Sequence, residues 1–281
     1  MRVLIILLYC LCSMTGLSVA QAPVLLGNID SHKITEASGI AASATLPGCF
    51  WTHNDSGNKP EVYLLNGKGQ LICTVSLDGA GNRDWEDIAT GPGPVKDKQY
   101  VYVGDIGDNK GVRKHVRIYR FPEPAGKLAT TMTVTPDVLT LYYPDSPRDA
   151  ESLMIDPLSK QLYIVSKREQ AVHLYKTNQL LFNNKDKVVL EKLIKLPYTW
   201  VTSGDISKDG HHIVIKTLTT VYYWHRNTGE SVEQAMAKPA TELPYVIEKQ
   251  GEAITITPDN KGYVTTSEGK QAPIYLYHWK F

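Results

Sequence analysis

The strongest constraint on the fold of this chain is a short phrase that occurs five times. In each copy polar or acidic residues run into an aliphatic strand, and the copies are EASGIA, DWEDIA, DAESLM, TSGDIS and QGEAIT. They align on an aliphatic residue that returns every 48 to 65 residues, at Ile40, Ile88, Leu153, Ile206 and Ile254. Periods near this length are typical of repeat architectures in which each copy is one supersecondary unit.

Each copy opens a unit of successive strands. After the phrase come a turn, a second strand, a polar turn and a third strand, whose aromatic-rich segments are VYLL, RIYRF, HLYK, VYYWHR and IYLYHW. A fourth, looser strand follows in the first three units. Four-stranded units repeated in this way are typical of the blades of a β-propeller. Because a single blade cannot bury both of its faces, the blades are expected to close into a ring.

Strand signals dominate the rest of the chain as well. Segments rich in Val, Ile, Tyr, Thr and Trp are separated by Gly, Asn, Asp and Pro, without sustained helical periodicity. At most, SVEQAMAK (231–238) and TNQLLFNN (177–184) could each form a turn or two of helix. We therefore expect an all-β protein. A β-sandwich is the alternative, and repetition in phase with the strands argues against it.

The two ends of the repeat predict how the ring closes. The fifth unit has three strands before Phe281, and one unassigned strand, PVLLGNI (23–29), precedes the first unit. This N-terminal strand is expected to complete the last blade, which gives a five-bladed β-propeller. A six-bladed ring is the alternative if the long interval that contains GKLATTMTVTPDVLTLYYPDSP holds an extra sheet.

The first twenty residues predict export. Residues 1–20 have one basic residue, an apolar run and then small residues, which is the layout of a secretory signal peptide cleaved after Ala20. The run is shorter than the roughly 20 residues that span a bilayer. We expect residues 21–281 to form one secreted domain, extracellular or periplasmic, and monomeric. With 30 basic and 29 acidic residues, the chain gives no reason to expect nucleic acid or a membrane as a partner.

Two local features of the sequence, a pair of cysteines and a glycosylation sequon, each allow more than one interpretation. Cys49 and Cys73 remain after the predicted cleavage, and an oxidising compartment favours a disulfide between them. The strand assignment places them on non-neighbouring strands, where their separation can exceed bridging distance, so both outcomes stay open. The one N-glycosylation sequon, Asn54-Asp55-Ser56, lies in a charged turn, where a structural or ligand role is expected rather than a glycan.

Propeller geometry predicts that acidic residues meet at one mouth of the central channel. The innermost strand of each blade starts at this face, and the turn between the second and third strands returns to it. The positions four and two residues before the aligned aliphatic residues are Glu36 and Ser38, Asp84 and Glu86, Asp149 and Glu151, Thr202 and Gly204, and Gln250 and Glu252. The second turns add His53, Asn54, Asp55, Asp105, Asp108, Asn109, Lys167, Arg168, Lys216 and Glu268. Residues two apart share a face of a strand, so a ring of carboxylates is predicted.

Such a ring is unfavourable unless its charge is neutralised. Two carboxylates about 5 Å apart repel by about 3 kcal/mol at an effective dielectric near 20. Either some of them hold protons with raised pKa values, or a cation lies among them. Calcium suits an all-oxygen site, whereas the scattered histidines offer no zinc motif. The predicted metal ligands are Glu36, Asp84, Glu86, Asp149, Glu151 and Glu252. The alternative is that each acid caps backbone amides or pairs with a nearby Lys or Arg.

The first half of the chain resembles a known superfamily. The segments ITEASGIA, FWTHNDSGNKPEVYLLNGKGQL, DWEDIATGP, YVYVGDIGDN and DAESLMIDPLSKQLYIVSK are similar to calcium-binding β-propellers. That group includes the phytase-like esterase propellers and the bacterial SdiA-regulated proteins. The resemblance implies a channel metal at Glu36, Glu86, Glu151 and Glu252, and the fourth unit departs from it at Thr202 and Gly204. A weaker likeness, through YVGDIG, is to the secreted calcium-dependent apyrase.

Two functions of different classes follow. The first is a calcium-dependent hydrolase of an anionic, phosphate-type ester, with Glu86 or Glu151 as the general base. The residues expected to contact its substrate are Asp55, Asp105, Lys167, Arg168 and Lys216. A serine-esterase mechanism is disfavoured because the sequence lacks Gly-x-Ser-x-Gly. The second is a secreted binding module for a protein or carbohydrate, in which calcium is structural.

Overall fold

The strands form five sheets that radiate as blades around a central channel. The structure is a computed structural model and describes residues 22–177, 182 and 187–279. The innermost strands of neighbouring blades contact one another around the whole ring. The protein is therefore an all-β, five-bladed β-propeller, as the repeat predicts. The predicted signal peptide lies outside the described residues.

Strands are numbered along the chain, and each blade is given from its innermost strand outward. Blade one has β2 (Ala37–Ala42), β3 (Cys49–Asn54), β4 (Glu61–Asn66), β5 (Leu71–Leu77) and β9 (Thr131–Val134). Blade two has β6 (Trp85–Pro92), β7 (Gln99–Asp105), β8 (Val116–Pro122), β10 (Asp137–Tyr142) and β14 (Val188–Val189). Blade three has β11 (Ala150–Ile155), β12 (Leu162–Ser166), β13 (Val172–Thr177) and β15 (Glu191–Leu196). Blade four has β16 (Val201–Ile206), β17 (His212–Thr217), β18 (Val221–His225) and β19 (Thr241–Leu243). Blade five has β20 (Gly251–Ile256), β21 (Gly262–Ser267), β22 (Pro273–His278) and β1 (Val24–Asn28).

The ring closes with strands from both ends of the chain. Strand β1 pairs antiparallel with β22, so that Val24 faces Leu276 and Asn28 faces Pro273. The predicted closure by the N-terminal strand is confirmed. Because blade five contains strands from opposite ends of the sequence, opening the ring would break a complete strand pairing.

The long interval between the second and third units adds strands to existing blades and forms no sixth sheet among the described residues. Strand β9 pairs parallel with β5 at the outer edge of blade one. Strand β10 pairs antiparallel with β8 in blade two, and β14 then pairs parallel with β10. The six-bladed alternative is wrong because this interval supplies the outermost strand of blade one and the fourth strand of blade two, while β14 comes from the next interval along the chain.

Apolar side chains between the blades stabilise the ring. Within the described part of the chain, five clusters of buried residues lie one at each interface between neighbouring blades. The closing interface, for example, packs Ile40 and Phe50 of blade one against Ala253 and Ile274 of blade five. Strands β2, β11 and β20 are buried along their whole length. A charged residue on such a strand is desolvated, so it needs a partner or a proton.

The open question about the cysteines is answered by the strand order. Cys49 lies on β3 and Cys73 on β5, with β4 between them, and both thiols are free. Because two strand spacings lie between β3 and β5, the two cysteines are separated by roughly 9–10 Å across the sheet. A disulfide requires a shorter Cα separation.

Helical structure is limited to one short segment of the described chain. Helix α1 (Val232–Met236) lies in the predicted 231–238 segment and begins with a capping box. Ser231 Oγ accepts from Gln234 N–H, and the Gln234 side chain accepts from Ser231 N–H. Most of the other candidate helical segment, 177–184, lies outside the described residues. Among the residues described, no helix has the length and apolar character needed to cross a membrane.

Candidate metal centre at one mouth of the channel

Every inner strand carries a β-bulge one residue after its start. The strand register shifts between Ala37 and Gly39 in blade one, and at the equivalent place in the other four blades. The residues at the bulges are Ser38, Glu86, Glu151, Thr202 and Glu252. A bulge leaves one residue unpaired and changes the direction of its side chain. The repeat therefore directs one side chain per blade toward the same mouth.

The bulges also correct the alignment of blade four. Its register shift makes Gly204, rather than Ile206, the equivalent of Ile254 and Leu153. The predicted anchor was wrong by two residues because a glycine replaces the aliphatic residue there. A Cβ at Gly204 would lie 2.7 Å from Ser152 Oγ of blade three, so this close approach requires glycine. The correct register places Trp200 and Thr202 where other blades have acids.

Backbone hydrogen bonds then bring the second turns to the mouth. Asp55 N–H donates to Glu36 O at 2.9 Å, Lys167 N–H to Asp149 O at 2.9 Å, and Glu268 N–H to Gln250 O at 3.0 Å. In each of these blades the turn residue is tied to the residue that precedes the inner strand. These ties place Asp55, Lys167 and Glu268 around the same opening, as the sequence predicts.

Three carboxylates form the first cluster, which we call the front trio: Asp55, Asp84 and Glu86. Each offers an oxygen, and these oxygens all lie within 4.8 Å of one another. Among the described residues, no Lys or Arg lies within ion-pair distance of the front trio. Glu86 is 4% exposed, and no described group donates a hydrogen bond to its carboxylate.

The backbone beside the front trio is shaped to fit these carboxylates. A Cβ at Gly107 would lie 2.0 Å from Glu86 Oε1 and 2.6 Å from Asp84 Oδ2. Arg113 holds this loop, because its Nη1 donates to Gly107 O at 2.6 Å and its Nη2 pairs with Asp105 at 2.8 Å. An all-oxygen donor set in a fixed cradle fits a hard cation such as calcium.

A second cluster, the rear trio, shares Glu86 and adds Asp149 and Glu151. Its oxygens also lie within 4.8 Å of one another, and all three residues are buried. Here the chain supplies its own cations, since Lys167 pairs with Glu151 Oε1 and Arg168 pairs with Asp149 Oδ2. Glu151 Oε2 is buried without a hydrogen-bond partner.

Burial, followed by the charges of neighbouring carboxylates, raises the pKa values of acids at this mouth. Burial, then the charges of Glu151, Asp55 and Asp84, raise the pKa of Glu86 well above its usual range. Burial raises the pKa of Asp84 to about 6 with a further contribution from Asp55, and that of Glu268 to about 7 with contributions from Glu252 and Asp55. Without a cation, the ionised mouth is therefore unfavourable in the folded state.

Four residues with predicted roles belong to neither trio. Glu36 is exposed and accepts from Asn58 Nδ2 at 2.7 Å, and Glu252 borders the mouth without joining a trio.

Asp105 is buried, pairs with Arg113 and accepts from Asp84 N–H. Lys216 is fully buried between blades four and five, where it donates to Gly251 O and to Thr217 O. Its burial lowers its pKa to about 8. Asp105 and Lys216 are therefore withdrawn from the expected substrate contacts.

Two buried polar residues, Asn54 and Asp87, stabilise the fold. Asn54 Oδ1 accepts from Thr35 N–H and Glu36 N–H, and its Nδ2 donates to Lys33 O at 2.7 Å. This buried amide has the structural role expected for the sequon. Asp87 is fully buried and joins blades two, three and four, because it accepts from Leu153 N–H at 2.9 Å and from Ser203 Oγ at 3.0 Å.

Trp200 belongs to the mouth, although the sequence alignment did not place it beside the acids. It is 43% exposed and has a φ of 57°, a left-handed conformation that is strained for a bulky residue. Its N–H donates to Lys167 O at 2.6 Å, and its ring centre lies 4.9 Å from Arg168 Cζ. Correct alignment of blade four would have placed it beside the acids.

The opposite mouth of the channel has a different character. A cavity of about 210 Å³ lies there, lined by residues that include Thr90, Asp205, Ile206 and Thr255. Asp205 accepts from Ile206 N–H, Ile256 N–H and Thr255 Oγ1, each at 2.8 Å. Its oxygens are therefore already used, and the acidic mouth remains the better candidate for a metal.

No protein-family model matches the chain, and no curated protein matches it.

Proposed function

We propose that the protein binds a divalent cation, calcium, at the front trio. The observation that supports this best is the arrangement of Asp55, Asp84 and Glu86, with oxygens within 4.8 Å and no basic partner among the described residues. Carboxylates so close together repel by about 3 kcal/mol per pair, and a dication removes that cost. Calcium accepts carboxylates and waters in variable geometry, whereas magnesium demands a near-ideal octahedron.

Calcium binding is tested by calorimetric titration of the chain after chelator treatment. We expect one ion per chain, with a dissociation constant on the order of 10⁻⁴ M at pH 7.5. Because the pKa of Asp84 is about 6, protons compete with the ion at this ligand, and its protonation alone should lower the affinity at pH 5.5 by about fourfold. Exposed Glu242 provides the control, since Glu242→Gln removes one charge on β19, the outermost strand of blade four. Absence of binding at millimolar calcium would refute the site.

The bound ion serves hydrolysis of an anionic ester in the first of two candidate functions. When bound, calcium would polarise a substrate oxygen and offset the negative charge of the mouth. Glu151 is supported as the proton carrier because burial raises its pKa well above the usual range and its Oε2 is unpartnered. Arg168, which is partly exposed at the rim, is placed to contact the anion.

A substrate panel tests this activity. We expect calcium-dependent turnover of at least one member of a set of phosphomonoesters, nucleotides and lactones. Glu151→Gln should lower kcat by about 100-fold or more while calcium still binds, since general acid–base groups typically contribute that much. Lys127→Gln, at an exposed position away from this mouth, should leave kcat unchanged. Silence across the panel from a chain that binds calcium would contradict the hydrolase.

The second candidate is a binding module with a structural ion, and Trp200 is the observation that favours it. A strained, exposed indole at the rim of the mouth is the kind of side chain on which a sugar ring or a protein residue packs. Calcium-dependent stability without turnover, together with loss of partner binding in Trp200→Ala, would support this function over the hydrolase.

Export through the predicted signal peptide completes the proposal. A weak calcium site of this kind is useful where calcium is millimolar, as outside the cell. N-terminal sequencing of the protein recovered from its native compartment tests the expected start after Ala20.

A further inference from the structure

Lys167 lies where a second cation would bind. Its side chain is buried, and its ammonium pairs with Glu151 Oε1 inside the rear trio. Glu252 and Glu86 lie close enough to act on it electrostatically as well. The ammonium thus faces carboxylates from blades two, three and five.

We propose that the Lys167 ammonium occupies a second cation position of the mouth, formed by Glu86, Asp149 and Glu151, and so limits the chain to one divalent ion. This inference rests on the proposed function, which assigns calcium to the front trio. It makes Lys167 the residue that determines how many ions the mouth accepts.

The geometry of the rear trio meets the requirements of a cation site. Its oxygens lie within 4.8 Å of one another, as do those of the front trio, and its residues are 4% to 7% exposed. Glu151 Oε2 is buried without any hydrogen-bond partner, which is costly for an isolated carboxylate oxygen. A position with three buried carboxylates and an unused oxygen is therefore suited to a dication once the ammonium is removed.

The backbone around Lys167 keeps its ammonium in place. Its N–H donates to Asp149 O at 2.9 Å, and its C=O accepts from Trp200 N–H at 2.6 Å. The indole of Trp200 lies over both basic groups, with its ring centre 5.9 Å from Lys167 Nζ. Blade four, which lacks an acid at this position, thus contributes an aromatic cover instead.

The test is the calcium stoichiometry of Lys167→Gln. We expect it to rise from one ion per chain to two, because the glutamine removes the competing charge from the rear trio. The control Lys127→Gln removes the same charge at an exposed position and should keep one ion. The double variant Glu151→Gln with Lys167→Gln removes the ligand as well and should return to one ion. Lys167→Arg keeps the cation and should also bind one.

Each outcome decides the inference. One ion at unchanged affinity in folded Lys167→Gln overturns it and leaves the proposed function standing. No ion in the natural chain but one in Lys167→Gln supports the lysine's role and refutes the front trio as the calcium site. No ion in either chain refutes both. If Lys167→Gln unfolds in chelator, millimolar calcium should restore its folding, and failure to do so overturns the inference.

Discussion

Glu86→Gln should make the protein more stable in chelator and should abolish most of its stabilisation by calcium. In chelator, the change removes a buried charge next to Asp55, Asp84 and Glu151, which should raise the free energy of unfolding by up to about 3 kcal/mol. In calcium at one hundred times the dissociation constant, the natural chain should gain about 2.7 kcal/mol. That gain corresponds to a rise in Tm of about 5–10 °C for a chain of this size. Glu86→Gln should lose most of it.

The pH dependence gives the same prediction a second check. When folding raises the pKa of a carboxyl group, that group stabilises the folded state fully at pH values below its unfolded pKa, which is near 4. This contribution to stability is lost as the pH rises through the pKa of the folded state. The pKa of Glu86 is raised in this way. The advantage of Glu86→Gln in chelator should therefore be small at pH 4 and largest at pH 8.

Thermal and urea unfolding in calcium and in EDTA measure both effects. Glu242→Gln is the matched control and should behave like the natural chain in every condition. Equal melting temperatures of the natural chain in the two buffers, or a Glu86→Gln chain less stable than the natural one in EDTA, would be incompatible with a cluster of repelling carboxylates that binds calcium.

Gly107→Ala should weaken calcium binding without unfolding the propeller. The added methyl would lie 2.0 Å from Glu86 Oε1 and 2.6 Å from Asp84 Oδ2, so both carboxylates must turn away. These atoms are ends of flexible side chains, and Gly107 does not have a positive φ among the described residues. The stability in EDTA should therefore change little. Loss of ligand orientation typically lowers metal affinity by about 10–100-fold.

Gly81→Ala is the control for this change. Gly81 precedes β6, the inner strand that carries Glu86. A Cβ at Gly81 would meet no atom within 4 Å. Calorimetry should give the natural affinity for Gly81→Ala and a weaker one for Gly107→Ala. If the two variants bind calcium equally well, Glu86 and Asp84 are not the ligands.

Blade four is where the structure departs most clearly from the alignment based on sequence. The alignment on aliphatic residues gave the correct register for four inner strands. In blade four it aligned Ile206, whereas Gly204 lies at the equivalent position in the structure. A hydrophobic pattern reports which positions are buried, and a glycine required by close packing against Ser152 carries no such signal. As a result the alignment did not place Trp200 beside the acids, although its neighbours Lys167 and Arg168 were assigned to the mouth.

The amino-acid sequence predicts five repeat units, the strand that closes the ring and the concentration of acids at one face. These properties follow from patterns within each unit, where strand alternation and turn residues act locally. The folded ring sets the approach of Asp55, rather than Glu36, to Asp84 and Glu86. Folding also lets Lys167 and Arg168 neutralise the neighbouring acids and buries Lys216. The approach of Asp55 to Asp84 and Glu86 joins blades one and two, and Lys216 of blade four donates to Gly251 O of blade five. Lys167 and Arg168 pair within blade three, where the bulge of the inner strand and the turn after β12 direct the side chains toward each other.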